Sequence, residues 1–245
     1  MENSITRQPH KTYGRKTLKR WIWRFIFILI YSIFLYQLWI LSHVVYWNVY
    51  NPTTSAFMQN RLNVMREKDA AATLFQTWIP YELISVQMKR AIIVAEDAKF
   101  KNHKGFDFDA IQNAFEKNLE AGRMVAGGST ISQQLAKNLF LSDKKSLLRK
   151  IQEAIITLML ENIMSKRRIL EIYLNIIEWG NGIFGVEAAA HHYYATPALS
   201  LTAEQATYLA AMVTNPRYYD KNRQSQRLLK KGKIFLKRLH SAEIP

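Results

Sequence analysis

The hydrophobic and polar positions divide the chain into two unlike parts. From Phe25 to Trp47 the run FIFILIYSIFLYQLWILSHVVYW contains no Asp, Glu, Lys or Arg. About 20 apolar residues cross a bilayer core of roughly 30 Å, so this run predicts a membrane-spanning helix. Trp21 and Trp23 before it, and Tyr46, Trp47 and Tyr50 at its far end, suit interfacial aromatic belts. Residues 48–80 are mixed, with a turn at Asn51-Pro52 and a short helix over 56–68. Beyond Pro80 the apolar period is about 3.6 residues. It predicts helices over 81–98, 107–121, 129–140, 146–164, 166–178, 184–195 and 202–213. Gly122, Gly127, Gly128, Gly180, Gly182 and Gly185 punctuate them, and no proline lies between Pro80 and Pro197. Thr202 with Gln205 has the pattern of a capping box. The expected architecture is mainly α: a basic tail over 1–24, a transmembrane helix over 25–47, a juxtamembrane segment over 48–80 and one helical domain over 81–245.

Charge orients this layout. Seven basic residues (Arg7, Lys11, Arg15, Lys16, Lys19, Arg20 and Arg24) precede the apolar run, against Glu2 alone. The excess predicts a cytoplasmic N-terminus and an exported domain. A cleaved signal peptide has a shorter apolar region, about 7–15 residues, ending in small residues. This run ends in bulky aromatics, which favours an uncleaved anchor; a buried core helix is the remaining alternative. Lys and Arg number 34 against 19 for Asp and Glu, a net charge of +15, and the part beyond Arg24 is still basic. On the exported side nucleic acid is excluded as a partner, and anionic lipid or a phosphate-bearing substrate is favoured. The chain has no cysteine, which excludes disulfides, thiolate metal sites and cysteine nucleophiles.

Three look-alike patterns fall away. Ser142 to Lys145 fits the S-x-x-K of penicillin-binding acyl enzymes but lacks their companion motifs. Gly122 to Ser129 has phosphate-loop spacing with Gly128 where the lysine belongs. His191-His192 lack the H-E-x-x-H context of zinc, so no metal site is expected.

Three segments carry more. Glu96-Asp97 close a strongly apolar helix, where low dielectric raises a carboxyl pKa as a general base requires; a solvated helix end beside Lys99, Lys101 and Lys104 is the plain alternative. Gly127-Gly128-Ser129-Thr130 opens a helix whose N-terminal N–H groups suit an anion, and Gln134 and Lys137 share its next face. Ordinary capping by Ser129 or Thr130 explains the start but not Gln133, Gln134 and Lys137 together. In the helix over 146–161, Leu148, Ile151, Ile155, Leu158 and Met159 form the stripe expected to be buried. Arg149 and Glu153 are spaced i, i+4: either a surface ion pair, or a second catalytic carboxylate held ionised by Arg149 and Lys150. Phe106, Phe108, Phe115, Leu139, Phe140 and Leu141 are many apolar residues for a soluble surface, so a membrane contact near 106–147 is expected, with Phe115 assigned to the core.

In order, EDAKFKNHKGFD (96–107), GGSTISQQLAKN (127–138), RKIQE (149–153), KRRILEIYLN (166–175) and GIFGVEAAAHHYYA (182–195) resemble the five motif blocks of family 51 glycosyltransferases, the peptidoglycan glycosyltransferases. The resemblance implies a lysozyme-like helical domain that polymerises lipid II into β-1,4-linked glycan with inversion, releasing undecaprenyl diphosphate. It implies Glu96 as general base and Glu153 as second carboxylate. Lys137 and Lys145 would contact phosphate, and Gln134, Ser129, Thr130, Arg149, Asp97 and His103 would bind or support substrate. It implies no required cofactor, with Mg²⁺ or Mn²⁺ as an optional share in neutralising the diphosphate. The partners are lipid II, the growing glycan chain, membrane lipids and other cell-wall synthesis proteins. The place is the bacterial inner membrane, with the catalytic domain periplasmic. Two alternatives stand beside it: a lysozyme-like lytic enzyme, and a non-enzymatic anchored scaffold.

Overall fold

The computed structural model describes residues 13–123, 125–144 and 146–245, with side chains from Leu18 onward. The chain divides into two compact units, one ending at His43 and one spanning Val44–Pro245. Helix α1 (Tyr13–Val49) runs through the division. It starts before the basic residues end, so the described part of the expected tail is helical. Its stretch Leu18–Val49 is 32 residues long, apolar enough to cross a membrane, and only 6% buried. That exposure excludes the core-helix alternative.

The second unit begins with the last turn of α1. Arg168 Nε donates to the Trp47 carbonyl at 3.0 Å and Nη2 to the Tyr50 carbonyl at 2.7 Å, satisfying backbone oxygens that a helix end leaves open. There follow α2 (Ala56–Arg66), α3 (Val86–Glu96), α4 (Phe108–Glu120), α5 (Ile131–Phe140), α6 (Leu147–Ile163) and α7 (Lys166–Ile176). Then come α8 (Val186–Tyr194), α9 (Ala203–Met212), α10 (Pro216–Lys221) and α11 (Gln226–Arg238). Polar side chains start many of these helices: Ser55, Ser85, Asp107, Thr130, Ser146, Ser165 and Thr202 each accept a first-turn N–H. Ser85 explains why the helix expected over 81–98 starts late. Residues 81–83 form a separate 3₁₀ turn, and the Ser85 cap opens α3.

A small sheet was not expected from the pattern. Strands β1 (Phe75–Gln76), β2 (Glu178–Gly180) and β3 (Ile183–Phe184) pair in the order β1-β3-β2, with β1 parallel and β2 antiparallel to β3. Elements of two or three residues are too short to show a period. The core gathers Trp179, Tyr173, Phe100 and Phe184, with α3 packed on α9, α9 on α11 and α5 on α6.

Helix α6 reverses the expected face. Leu148, Ile151 and Leu158 are exposed, Leu148 by 79%, while Glu153, Ile156, Thr157 and Leu160 point inward. Helix α4 is similar: Phe108 and Phe115 are exposed by 75% and 64%, which corrects the core assignment of Phe115. Leu139 and Leu141, expected in the same apolar contact, are buried, and Phe106 and Phe140 are half-buried.

Candidate active site

Glu96 is the last residue of α3, whose inner face buries Met88, Ala91, Ile92 and Ile93. Its Oε2 accepts a hydrogen bond from Gln134 Nε2 at 2.6 Å, while Oε1 is buried with no hydrogen-bond partner. Tyr173, fully buried on α7, donates its hydroxyl to Gln134 Oε1 at 2.9 Å and so fixes which end of the amide faces Glu96. Burial pushes the Glu96 carboxyl above the ordinary range; the Gln134 hydrogen bond and the charges of Lys231 and Lys137 oppose the rise, and Asp97 adds to it. Burial likewise pushes the Tyr173 hydroxyl well up, with help from Glu96 and Asp97, so it stays protonated and able to donate to Gln134.

The start of α5 differs from the expected anion cradle. Its Ile131 N–H donates to Asp97 Oδ2 at 3.0 Å, so the anion at this helix N-terminus is the protein's own carboxylate. His103 Nε2 donates to the same carboxylate at 2.9 Å, and His103 Nδ1 accepts from the Gly105 N–H at 3.1 Å. Thr130 is buried: its hydroxyl donates to the Gly105 carbonyl at 2.7 Å and caps Gln133, whose side chain returns the bond to the Thr130 N–H. Asp97, His103 and Thr130, grouped above with substrate-binding residues, therefore have their polar atoms engaged within the fold. Gln133 is explained as the partner in a capping box. Gly128 answers a packing need, since a Cβ there would lie 2.8 Å from the Ile111 Cα of α4. Ser129 remains exposed, with the Lys150 ammonium 3.4 Å from its hydroxyl.

Gln134, Lys137 and Asn138 share one face of α5, as the spacing predicts, and line a cavity of about 280 Å³ with Tyr173, Thr214 and Arg217. Glu96 and Ser129 line a second, of about 270 Å³. The Gln134–Glu96 hydrogen bond joins the two. Among the described residues the Lys137 ammonium has no hydrogen-bond partner; it lies 5.7 Å from the centre of the Phe57 ring. Burial lowers its pKa, reinforced by Arg149 and Lys150, while Glu153 and Glu96 both pull it back up.

Glu153 is 3% exposed, so the surface-pair alternative fails. Arg149 Nη1 donates to its Oε2 at 2.7 Å, and the Lys150 ammonium contacts Oε1. Lys145 lies outside the described residues. Lys150 contacts Glu153 as the sharper reading expects, while Tyr173 and Lys231 are members of this site that the sequence did not single out. Tyr173 sat within a recognised block, but nothing in the spacing aimed its hydroxyl at Gln134. Among the described residues no group of three or more His, Cys, Asp or Glu could hold a metal ion by itself.

A helical domain in which a buried, incompletely partnered carboxylate stands beside a cationic cleft defines a class of enzyme suited to proton transfer on an anionic substrate. Residues 63–240 match the family described as Transglycosylase, and the chain belongs to that family. It is 63% identical to the biosynthetic peptidoglycan transglycosylase of Nitrosospira multiformis over 227 residues, covering 93% of this chain and 99% of the relative. It is 56% identical to the protein of that name from Nitrosomonas europaea over all 245 residues, the full length of both. The one from Methylobacillus flagellatus is 54% identical over 228 residues, 93% of this chain and all of the relative.

Proposed function

We propose that this peptidoglycan glycosyltransferase polymerises lipid II. The growing glycan, on undecaprenyl diphosphate, is the donor, and the 4-hydroxyl of an incoming lipid II is the acceptor. Glu96 takes the hydroxyl proton as the oxygen attacks the anomeric carbon from the face opposite the diphosphate. The C–O bond to the diphosphate breaks with its electron pair, and configuration inverts. Lys137, together with Arg149 and Lys150, neutralises the departing charge, so the leaving group needs no proton. Lys145 stands in sequence where it would join them, as a point charge rather than a fork. Glu153 orients Arg149 and Lys150, and Gln134 orients Glu96. Asp97, His103 and Thr130 position the elements behind these groups. No cofactor is required in this reading.

The observation that carries it is the state of Glu96: one oxygen held by Gln134, the other buried without a partner beside a cavity. The apolar helix α1 anchors the enzyme in the inner membrane, uncleaved, with the basic N-terminus cytoplasmic and the domain periplasmic. The exposed apolar side chains of α4 and α6 would rest against lipid, leaving other cell-wall synthesis proteins to meet other faces. The test is gel analysis of radiolabelled lipid II incubated with the detergent-solubilised protein beside Glu96→Gln. A muramidase-sensitive ladder from the wild type, absent in the variant, is expected. Intact lipid II together with fragmentation of preformed glycan would overturn the polymerase in favour of the lytic reading.

A further inference from the structure

One cation at the cleft belongs to none of the motif blocks and takes no part in the chemistry above. Lys231 lies in the second turn of α11, which packs against α3 and α9. Its ammonium donates to Thr214 Oγ1 at 3.1 Å, and Thr214 gives its own proton to the Ala211 carbonyl at 3.1 Å. With that proton committed, the Thr214 oxygen can only accept, so it pins the ammonium beside the cavity that Thr214 lines with Gln134 and Lys137. Lys231 is half-buried there, whereas Lys230 and Lys233 on the same helix are exposed.

The groups that act on Glu96 come from four elements. Gln134 of α5 bonds it directly and is itself held by Tyr173 of α7, while the charges of Lys137 from α5, Asp97 from the turn after α3 and Lys231 from α11 act on it. The two lysines differ in their loyalties. Lys137 answers to Glu153 as well as Glu96, while Glu96 is the carboxylate that acts on Lys231, with Arg227 as its cationic neighbour. We propose that Lys231, anchored on Thr214, is a positioning residue of the glycosyl transfer, keeping the Glu96 end of the cleft positive so that the unpartnered Oε1 receives the acceptor proton. The ammonium itself neither gives nor takes a proton.

This inference rests on the reading of Glu96 as proton acceptor. The experiment measures initial rates of lipid II polymerisation by the full-length protein along the acid limb of its pH profile. Removing a neighbouring positive charge favours the protonated carboxylate, so Lys231→Met is expected to move the limb to higher pH by roughly half a unit or more. Lys231→Arg should return it toward the wild type. Lys233→Met removes the same charge from an exposed position and should leave the limb in place. A rate lowered by one factor at every pH in Lys231→Met would reduce Lys231 to a packing residue and overturn the inference, as would an equal shift in Lys233→Met. A wild type that forms no polymer would instead overturn the function proposed above, and this inference with it.

Discussion

Glu96 meets one neutral donor, Gln134, and leaves its second oxygen without a partner, whereas Glu153 meets a cation on each oxygen. Both are carboxylates on helices that bury them, and both act on Lys137. The difference lies in what surrounds them. At Glu96 burial outweighs the opposing charges and the proton is held more tightly than in water. At Glu153 Arg149 and Lys150 approach from the same helix, so its position is set by the i, i+3 and i+4 spacing of α6. The first arrangement leaves a lone pair available to an incoming hydroxyl; the second makes one rigid cluster of three charges.

The largest effect should separate the two. Glu96→Gln keeps shape and the contact with Gln134 but removes the proton acceptor, and polymerisation is expected to fall about 10²–10⁴-fold. Its melting temperature should equal or exceed the wild type's at neutral pH. A carboxyl whose folded pKa lies above its unfolded one weakens the fold as pH rises through that interval, and the amide removes the penalty. A fall in both activity and melting temperature would remove the distinction. Glu153→Gln should show the reverse balance: stability falls by about 1–3 kcal/mol in denaturant titration as the two cations lose their counter-charge. Its acid limb should stay where the wild type's is. Gln134→Leu comes third, with a rate loss of about tenfold and a limb moved to higher pH, because the hydrogen bond that favours ionised Glu96 is gone. An unmoved limb in that variant would show that Gln134 does not tune the carboxylate.

Much of this site was legible as residue types and spacing. The face shared by Gln134 and Lys137 and the pairing of Arg149 with Glu153 both follow from helical geometry. What escaped was directional. Thr130 and Gln133 repeat the spacing of Thr202 and Gln205, and both pairs form full capping boxes. At Thr202 the pattern stood alone and was read as a cap. At Thr130 it lies among glycines and polar residues, so capping accounts for the helix start while Gln133 stands out as surplus and points toward an anion site. The filled N-terminus of α5 depends on Asp97, 34 positions earlier, and no local pattern encodes that approach. Lys231 was hidden for a similar reason, since it is one of several cations along α11 and only packing brings its ammonium onto Thr214 beside the cavity. The short strands left no period to read.

Helix α6 supplies the smallest expected effect and the sharpest check on how apolar patterns are interpreted. Its Leu and Ile stripe marks the inner face only if water is the sole solvent outside. Here the inner face carries Glu153 beside Ile156, Thr157 and Leu160, and the stripe faces out. Had Leu148 and Ile151 been core residues, truncating each would cost about 2–5 kcal/mol. As exposed side chains, Leu148→Ser and Ile151→Ser are each expected to change stability by less than about 0.5 kcal/mol in detergent. Phe108, Phe115 and Leu119 on α4 are exposed as well, and apolar exposure on this scale is costly in water without a partner surface. Flotation with vesicles, using the domain joined to its own helix, should therefore show the double variant bound as firmly through α1 but with less protection of α6 from an aqueous hydroxyl-reactive or proteolytic probe. Equal protection in wild type and variant would mean that lipid does not cover the stripe.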